Sequence, residues 1–253
     1  MHFNYEYLLD FTARQCTNKQ NFTILDFGCG AGEVVVEGLR RGFNIYGAEI
    51  FYAGENTRQA VENSGLMGTV IREIADGKVD FPDAYFDLVL TNQVFEHVKD
   101  LEQVLQENYR ILKPGGQMLN LFPSRDVWRE GHRGIPFLHW FAKDSRLRYP
   151  YALLLRRLGL GSYKGNKTPA QWTSYTLSWL DNYCFYRDRH VIVETFSRYF
   201  KIGFIEDDYI RLRLRASGLQ IFIPFETVHL FKLMAKEIFR KLGGLVMLAT
   251  KPS

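Results

Sequence analysis

The chain has 253 residues, of which 46% are hydrophobic and 24% are charged, and its formal net charge is +4 at pH 7. This composition is ordinary for a globular protein, and the length accommodates one large domain with a full-sized core. The small basic excess gives no reason to expect DNA binding. Three widely spaced cysteines, Cys16, Cys29 and Cys184, cannot make a disulfide framework and indicate a reducing cytoplasm.

The first residues lack the basic and apolar segments of a signal peptide. No apolar run approaches the ~20 residues that span a bilayer. We therefore expect a soluble, cytoplasmic protein, and a peripheral contact with a membrane surface stays open.

The first half of the chain alternates between strand and helix patterns. Short apolar runs predict strands, and amphipathic segments predict helices between them. The strands are expected at 22–27, 43–48, 70–74, 86–90 and 117–122, and the helices at 33–40, 53–63 and 101–112. The segment Lys113-Pro114-Gly115-Gly116 is expected to end the last of these helices.

The second half has a different pattern. Residues 123–196 are aromatic, basic and mostly helical or irregular, whereas 200–205 and 245–250 predict strands and 227–241 predicts an amphipathic helix. The predicted fold is α/β, a doubly wound and mostly parallel seven-stranded sheet with an insert between strands five and six. We divide the chain into a core (1–122), a lid insert (123–196) and C-terminal elements that complete the sheet (197–253).

A glycine-rich turn follows the first predicted strand, in Asp26-x-Gly28-x-Gly30-x-Gly32. Glycine permits backbone angles and close ligand approach that a Cβ atom would block, and the next helix adds free N–H groups. A dinucleotide site would need a third glycine where the chain has Glu33, an acid that would repel a pyrophosphate. The turn instead suits a ligand with cationic groups, which Asp26 would attract.

This turn resembles motif I of the class I S-adenosylmethionine-dependent methyltransferases, in particular the type 11 members, and later landmarks follow in that family's order. The resemblance implies S-adenosylmethionine as cofactor and S-adenosylhomocysteine as product. Glu49 would bind the ribose hydroxyls, Ile50 would pack on the adenine, and Asp76 would accept a hydrogen bond from the adenine amino group. The implied cofactor-binding residues are Asp26, Gly28, Cys29, Gly30, Gly32, Glu49, Ile50, Asp76, Gly77, Asn92 and Gln93.

A second resemblance concerns Gln93-x-x-Glu96-His97. It is similar to the Glu-x-x-Glu-His motif with which small-RNA 2′-O-methyltransferases and ubiquinone-pathway O-methyltransferases bind a divalent cation, helped by a later histidine. Here Gln93 replaces the first Glu, and the later histidine would be His132 or His139. We predict no metal, keep Glu96, His97 and His132 as the weaker alternative with Mg²⁺, and assign acid–base or acceptor-orienting roles to His97 and His132. His2, His190 and His229 are expected at the surface or in packing.

The resemblance implies methyl transfer, with the insert as an acceptor-binding lid over the carboxyl ends of the strands. We expect O-methylation of a small molecule or glycan, because the lid has aromatic and basic residues of its own. One alternative is a lipid-linked or quinone precursor methylated at a membrane surface, which residues 149–163 would contact. RNA is less favoured because no RNA-binding module is present. A scaffold without activity is disfavoured by the three spaced acids Asp26, Glu49 and Asp76.

Overall fold

A computed structural model describes residues 2–16, 21–51, 56–219 and 229–253. Within these ranges seven strands form one sheet in the order β3-β2-β1-β4-β5-β7-β6. The strands β1 to β5 run parallel, and β7 lies antiparallel to both of its neighbours. The predicted doubly wound, mostly parallel sheet is therefore confirmed. The strands are β1 Thr23–Phe27, β2 Asn44–Glu49, β3 Ile71–Glu73, β4 Phe86–Asn92, β5 Leu112–Phe122, β6 Lys201–Phe204 and β7 Leu245–Thr250.

The helices of the described ranges cover both faces of this sheet and build the insert. They are α1 Phe3–Gln15, α2 Glu33–Arg40, α3 Thr57–Asn63, α4 Leu101–Ile111, α5 Arg148–Arg157, α6 Pro169–Tyr183, α7 Arg189–Ser197, α8 Glu206–Ala216 and α9 His229–Leu242. None of them is long and apolar enough to cross a membrane. The sequence patterns did not predict α1 and α8. The predicted helix residues 53–55 and 227–228 lie outside the described residues.

The core consists of two hydrophobic clusters, one on each face of the sheet. In β4, Leu88 and Leu90 belong to one cluster and Val89 to the other, as the two-residue period of a strand requires. Because β4 is paired on both sides and covered on both faces, its sequence is almost continuously apolar. Pairing on both sides holds the end of β4 in place relative to β1 and β5. The residues that follow β4 therefore lie at the carboxyl edge of the sheet.

Two segment boundaries in the structure differ from the sequence patterns. The helix α4 ends at Ile111, just before 113–116, as expected, but β5 begins already at Leu112, which pairs with Phe86 before the register shifts. The insert has its own small core, but this core ends before α7. Ile192 and Phe196 of α7 instead pack in the main cluster beneath the sheet, so the separate body of the insert ends before the predicted boundary at residue 196.

Candidate functional site

The glycine turn between β1 and α2 has three residues in the left-handed region, with φ of +76° at Gly28, +55° at Gly30 and +85° at Gly32. A Cβ atom on Gly28 would lie 2.4 Å from Val94 Cγ2, and one on Gly32 would lie 2.6 Å from Ile71 Cδ1. A Cβ on Gly30 would meet nothing within 4 Å. Packing therefore requires two of the glycines, whereas Gly30 borders open space that a ligand can approach closely.

The carboxylate of Glu49 holds this turn in place. It accepts hydrogen bonds from the backbone N–H of Gly30 at 2.6 Å and from that of Ile50 at 2.8 Å. Glu49 is the last residue of β2, the strand next to β1, so two neighbouring strand ends are joined across the carboxyl edge. Any group bound by the Glu49 carboxylate would therefore also contact a fixed loop.

Asp26 lies directly below the turn and is 3% exposed. Burial, with smaller contributions from Glu49 and Glu33, raises the pKa of the Asp26 carboxyl to about 8. Among the described residues, no lysine or arginine forms a salt bridge with Asp26 or Glu33. A cationic ligand bound beside these acids would therefore favour the ionised form of the Asp26 carboxyl.

A cavity of about 780 Å³ opens onto this acidic region, which is within the usual size range of ligand pockets. It is bounded by the glycine turn, the end of β4, α1, α8 and α9. Six of the predicted cofactor-binding residues line it: Asp26, Gly28, Cys29, Gly30, Asn92 and Gln93. Gln93 has φ of +57°, a backbone conformation that is uncommon for a residue other than glycine. Its N–H donates to the Leu121 carbonyl at 2.7 Å, which fixes the peptide after β4 against β5.

The opposite wall of the cavity was missed by the sequence patterns. Asn4 of α1 donates through Nδ2 to Asn92 Oδ1 at 2.8 Å, and its Oδ1 accepts from the Tyr209 hydroxyl at 2.7 Å. Arg213 in turn donates to that hydroxyl at 3.1 Å. This chain of hydrogen bonds connects α1, β4 and α8. The one sequence signal for α1 was the apolar spacing of its buried residues.

A second group of polar residues lies at the same edge of the sheet, outside the lining of the cavity. The Nε2 atoms of His97 and His132 are 3.0 Å apart. His97 Nδ1 is 2.6 Å from the carbonyl oxygen of Tyr183, and His132 Nδ1 is 2.9 Å from Glu130 Oε1. Both of these oxygens can only accept hydrogen bonds, so both Nδ1 atoms must donate. With both Nδ1 atoms donating, the two Nε2 atoms face each other and can share a proton or a metal cation.

Glu130 is the residue that fixes His132. Burial alone would raise the pKa of its carboxyl, but hydrogen bonds from His132, Tyr186 and the Arg133 N–H hold that pKa at about 2. The Tyr186 hydroxyl donates to Glu130 Oε1 at 2.8 Å. The Glu130 carboxylate is therefore ionised at neutral pH and has its oxygens occupied by donors.

Cys184 and Glu96 complete the surroundings of the two histidines. The Cys184 Sγ lies 3.8 Å from His132 Nδ1, and one ligand atom from each of His97, His132 and Cys184 lies within 4.8 Å of the others. Glu96 does not belong to this cluster. Its carboxyl is buried, and no described residue hydrogen-bonds either oxygen. Burial and the nearby Glu130 raise the pKa of the Glu96 carboxyl to about 8.

The end of α6 brings the two histidines together. The Phe185 N–H donates to the Glu96 carbonyl at 2.6 Å, and the Arg187 guanidinium donates to the carbonyls of Phe95, Val98 and Lys99. The insert is thus joined to the loop after β4 by one backbone–backbone bond and by the Arg187 side chain. Every acceptor in the loop is a backbone carbonyl, so the loop residues carry no pattern that would reveal the contact.

Residues 25–120 match the family model described as a methyltransferase domain. The match begins in β1, includes the glycine turn and ends in β5, so it contains the parallel strands that carry the site. Residues 25–120 are therefore similar to a methyltransferase domain.

Curated relatives match the same part of the chain. A ubiquinone/menaquinone biosynthesis C-methyltransferase from Vibrio vulnificus is 32% identical over 111 residues, which is 42% of either chain. A ubiquinone biosynthesis O-methyltransferase from Maricaulis maris is 32% identical over 101 residues, 40% of either chain. The chain spans about two fifths of the length of these relatives, and the insert lies outside the methyltransferase domain.

The fold extends beyond that domain. A crystal structure of an S-adenosylmethionine-dependent methyltransferase from Mesorhizobium loti superposes with a TM-score of 0.53 at 17% identity, over 96% of this chain and 98% of that one. A phosphoethanolamine N-methyltransferase from Haemonchus contortus gives a TM-score of 0.51 at 15% identity, over 97% of this chain and 52% of that one. At these identities the likeness shows the shared architecture of sheet and helices.

Five predicted cofactor residues of the methyltransferase domain do not line the cavity: Gly32, Glu49, Ile50, Asp76 and Gly77. They lie instead in or near the turns that follow β1, β2 and β3. Ile50 is 42% exposed, and Asp76, which is also exposed, has φ of +52° and offers its carbonyl to Gln103 Nε2 at 3.3 Å. Their contact with a cofactor stays a prediction.

The remaining histidines have separate positions. His139, named as an alternative later histidine, has its Nε2 3.2 Å from the Arg125 carbonyl and does not belong to the cluster. His190 is exposed, as expected. His2 accepts a hydrogen bond from the Asn4 N–H at the start of α1 and also lines the cavity, which the sequence did not indicate. The side chain of His229 lies outside the described residues.

Proposed function

We propose that the protein is an S-adenosylmethionine-dependent methyltransferase that acts on a small-molecule acceptor. The observation that carries this proposal is the buried Asp26 carboxyl, which has no cationic partner among the described residues and borders the cavity below the glycine turn. S-adenosylmethionine supplies a methyl group already activated by a sulfonium, and it has an ammonium group as well. Two cationic groups and no phosphate fit a cavity bordered by Asp26 and Glu33.

Each part of the domain has a role in this proposal. Asp26 attracts the positive charge of the cofactor, and Gly30 lets its backbone approach closely. Glu49 keeps the turn in place and accepts hydrogen bonds from the ribose hydroxyls, because a carboxylate oxygen can accept more than one hydrogen bond. Ile50 and Asp76 bind the adenine at the ends of the neighbouring strands. Placing the donor and acceptor in line supplies much of the rate acceleration.

An oxygen atom of the acceptor is favoured as the methylated atom. A hydroxyl has to lose its proton, or have its pKa lowered by a cation, before it attacks the methyl group. A cation held between the facing Nε2 atoms of His97 and His132, which are 3.0 Å apart, would place a positive charge at the edge of the sheet that carries the glycine turn. That charge would stabilise an acceptor oxyanion, so we propose that His97 and His132 orient and activate the acceptor.

The cofactor part is tested by calorimetric titration with S-adenosylmethionine and S-adenosylhomocysteine. Micromolar binding is expected for the wild type, with a loss of about tenfold or more for Glu49→Ala, because both the loop anchor and the ribose acceptor are removed. The exposed Glu194 forms only an i,i+4 pair with Arg198, so Glu194→Ala is the matched control and should bind like the wild type. Absence of binding by the wild type contradicts the proposal.

The acceptor part needs a separate assay. A panel of hydroxyl, amine and activated-carbon acceptors is incubated with the enzyme and radiolabelled cofactor, and transfer is expected to hydroxyl compounds only. Transfer to amines in the absence of any hydroxyl product contradicts O-methylation and leaves the cofactor part intact.

A quinone precursor at a membrane surface is the second candidate acceptor. Two observations favour it. Relatives of the matched segment are methyltransferases of ubiquinone or menaquinone biosynthesis, and Leu147, Leu154 and Leu158 are 56–68% exposed beside Arg156 and Arg157. Exposed leucines next to arginines suit an anionic bilayer surface. Flotation with anionic vesicles tests this candidate, and a protein that stays wholly at the bottom of the gradient contradicts it.

A further inference from the structure

We propose that His97, His132 and Cys184 bind one transition-metal ion, best matched by Zn²⁺, at the carboxyl edge of the sheet. The catalytic role of this metal rests on the proposed function, whereas the binding of the metal does not depend on it. The first reason is the 3.0 Å contact between the two Nε2 atoms, whose lone pairs face each other while both Nδ1 atoms donate elsewhere. A cation between them removes the repulsion and uses both lone pairs.

The spacing of the two imidazole nitrogens is close to that of a tetrahedral site, whereas the thiol would have to move inward to complete it. Zn–N bonds of ~2.0–2.1 Å at a tetrahedral angle place two nitrogen ligands ~3.3 Å apart, so the histidines would separate by a few tenths of an ångström. A third donor is present in Cys184, because one ligand atom of each of the three residues lies within 4.8 Å of the others. Three protein ligands leave a fourth position open, as in catalytic zinc sites.

The surrounding groups are those that orient metal ligands. The His132 Nδ1–H donates to the Glu130 carboxylate and the His97 Nδ1–H donates to the Tyr183 carbonyl, which fixes both rings with Nε2 directed at the shared position. The Glu130 carboxylate, whose Oε1 is 2.9 Å from His132 Nδ1, adds negative potential beside the site. The environment therefore favours a positive ion at this place.

The donor set distinguishes this site from the one that the Gln93-x-x-Glu96-His97 motif suggests. Mg²⁺ prefers oxygen ligands, but Glu96 lies outside the cluster and the Glu130 carboxylate oxygens accept from other groups. Two imidazoles and a thiol suit a borderline or soft ion such as Zn²⁺. Burial raises the pKa of the Cys184 thiol well above its usual range, so metal binding would release the thiol proton to solvent as the S–metal bond forms.

The open position would accept the oxygen of the acceptor. The His132 side chain is 22% exposed, so a small molecule can reach the metal from solvent. A zinc ion bound there polarises an acceptor hydroxyl and stabilises its oxyanion during methyl transfer. The inferred substrate class is therefore a hydroxyl compound whose oxygen is a metal ligand, such as a phenol.

The test begins with the metal content of untagged protein, measured by inductively coupled plasma mass spectrometry after gel filtration. We expect about one Zn²⁺ per chain in the wild type. Cys184→Ser and His97→Gln each remove one ligand and should lower zinc affinity by about tenfold or more. The matched controls are Cys16→Ser and His190→Gln, which change the same residue types outside the cluster and should keep the metal.

Cobalt replacement gives a second measurement that does not depend on variants folding. Metal-free wild type titrated with Co²⁺ should develop a thiolate-to-cobalt absorption band that saturates at about one equivalent. Circular dichroism and S-adenosylmethionine titration on each variant report whether the fold survives the substitution.

The outcomes separate the two proposals. Wild type that contains no zinc and gives no cobalt–thiolate band overturns the metal site, and a shared proton then holds the two histidines together. Equal zinc content in Cys184→Ser, His97→Gln and the controls places the metal elsewhere and also overturns it. Zinc binding without cofactor binding would leave the metal site standing while the proposed methyltransferase function fails.

Discussion

Replacing Asp26 by Asn should make the cofactor-free protein more stable and its cofactor binding weaker. In the folded chain the pKa of the Asp26 carboxyl rises from 3.8 to about 8 because the group is buried, with Glu49 and Glu33 adding repulsion. An asparagine of nearly the same shape is neutral at every pH and avoids this cost. The substitution therefore separates what the carboxyl does for binding from what it costs in folding.

The size of the effect follows from the pKa shift. Keeping the carboxyl protonated at pH 7 costs ~1.4 kcal/mol for each pH unit above its unfolded pKa of 3.8, which sets an upper limit of ~4 kcal/mol. Asparagine must still bury its amide, so we expect a net gain of about 2 kcal/mol in the free energy of unfolding. Loss of a charged partner should weaken S-adenosylmethionine binding by about tenfold to a hundredfold.

The pKa shift of Asp26 also determines in which direction the stability changes with pH. The folded state binds Asp26's proton more tightly than the unfolded state, so wild-type stability falls as pH rises from 3.8 towards about 8. The advantage of Asp26→Asn should therefore be absent near pH 4 and largest near pH 8, when both proteins are unfolded with urea. The exposed Asp144 is the control, and Asp144→Asn should show no such trend. A destabilised Asp26→Asn at about pH 8, or a difference that does not change with pH, would refute the reasoning.

Three further substitutions test the packing that supports the site. Trp172→Ala removes a fully buried ring from the core of the insert and should lower the free energy of unfolding by about 3–5 kcal/mol. Limited proteolysis should then cleave the insert earlier than in the wild type, and an unchanged cleavage rate would contradict this. Arg240→Ala leaves the buried Glu206 without the guanidinium that lies 2.7 Å from it, and urea unfolding should show a loss of about 3–5 kcal/mol in the free energy of unfolding. A loss below about 1 kcal/mol would show instead that water solvates the acid. Asp100→Ala removes the side chain that accepts from the Gln103 N–H at the start of α4 and should lower stability by about 1 kcal/mol, and an unchanged unfolding midpoint would be inconsistent with a capping role.

The pair His97 and His132 illustrates the limit of sequence patterns. His97 was selected because it follows Glu96 in a recognisable motif, and His132 because it comes after strand five. The structure brings these two within 3.0 Å, but it excludes Glu96 from the cluster and adds Cys184. The position of Cys184 depends on how the end of α6 binds to the loop after β4, and the hydrogen bonds that fix this involve backbone groups.

The parallel sheet and the glycine turn were determined by the sequence alone, because both depend on local patterns. Alternating apolar runs and amphipathic segments specify strands and helices, and Gly28, Gly30 and Gly32 have left-handed φ values that other residues rarely adopt. Chain order then places Asp26 and Glu49 at neighbouring strand ends, since parallel strands all finish at one edge.

Only the tertiary structure decided which distant residues complete the site. Asn4 hydrogen-bonds both Asn92 and Tyr209 at the cavity, although more than two hundred residues separate Asn4 from Tyr209 in the chain. Glu130 and Cys184 reach the histidines through an insert with its own core. Contacts of this kind arise from the packing of helices on a sheet, which is governed by buried area and shape, and these leave no fixed spacing in the sequence.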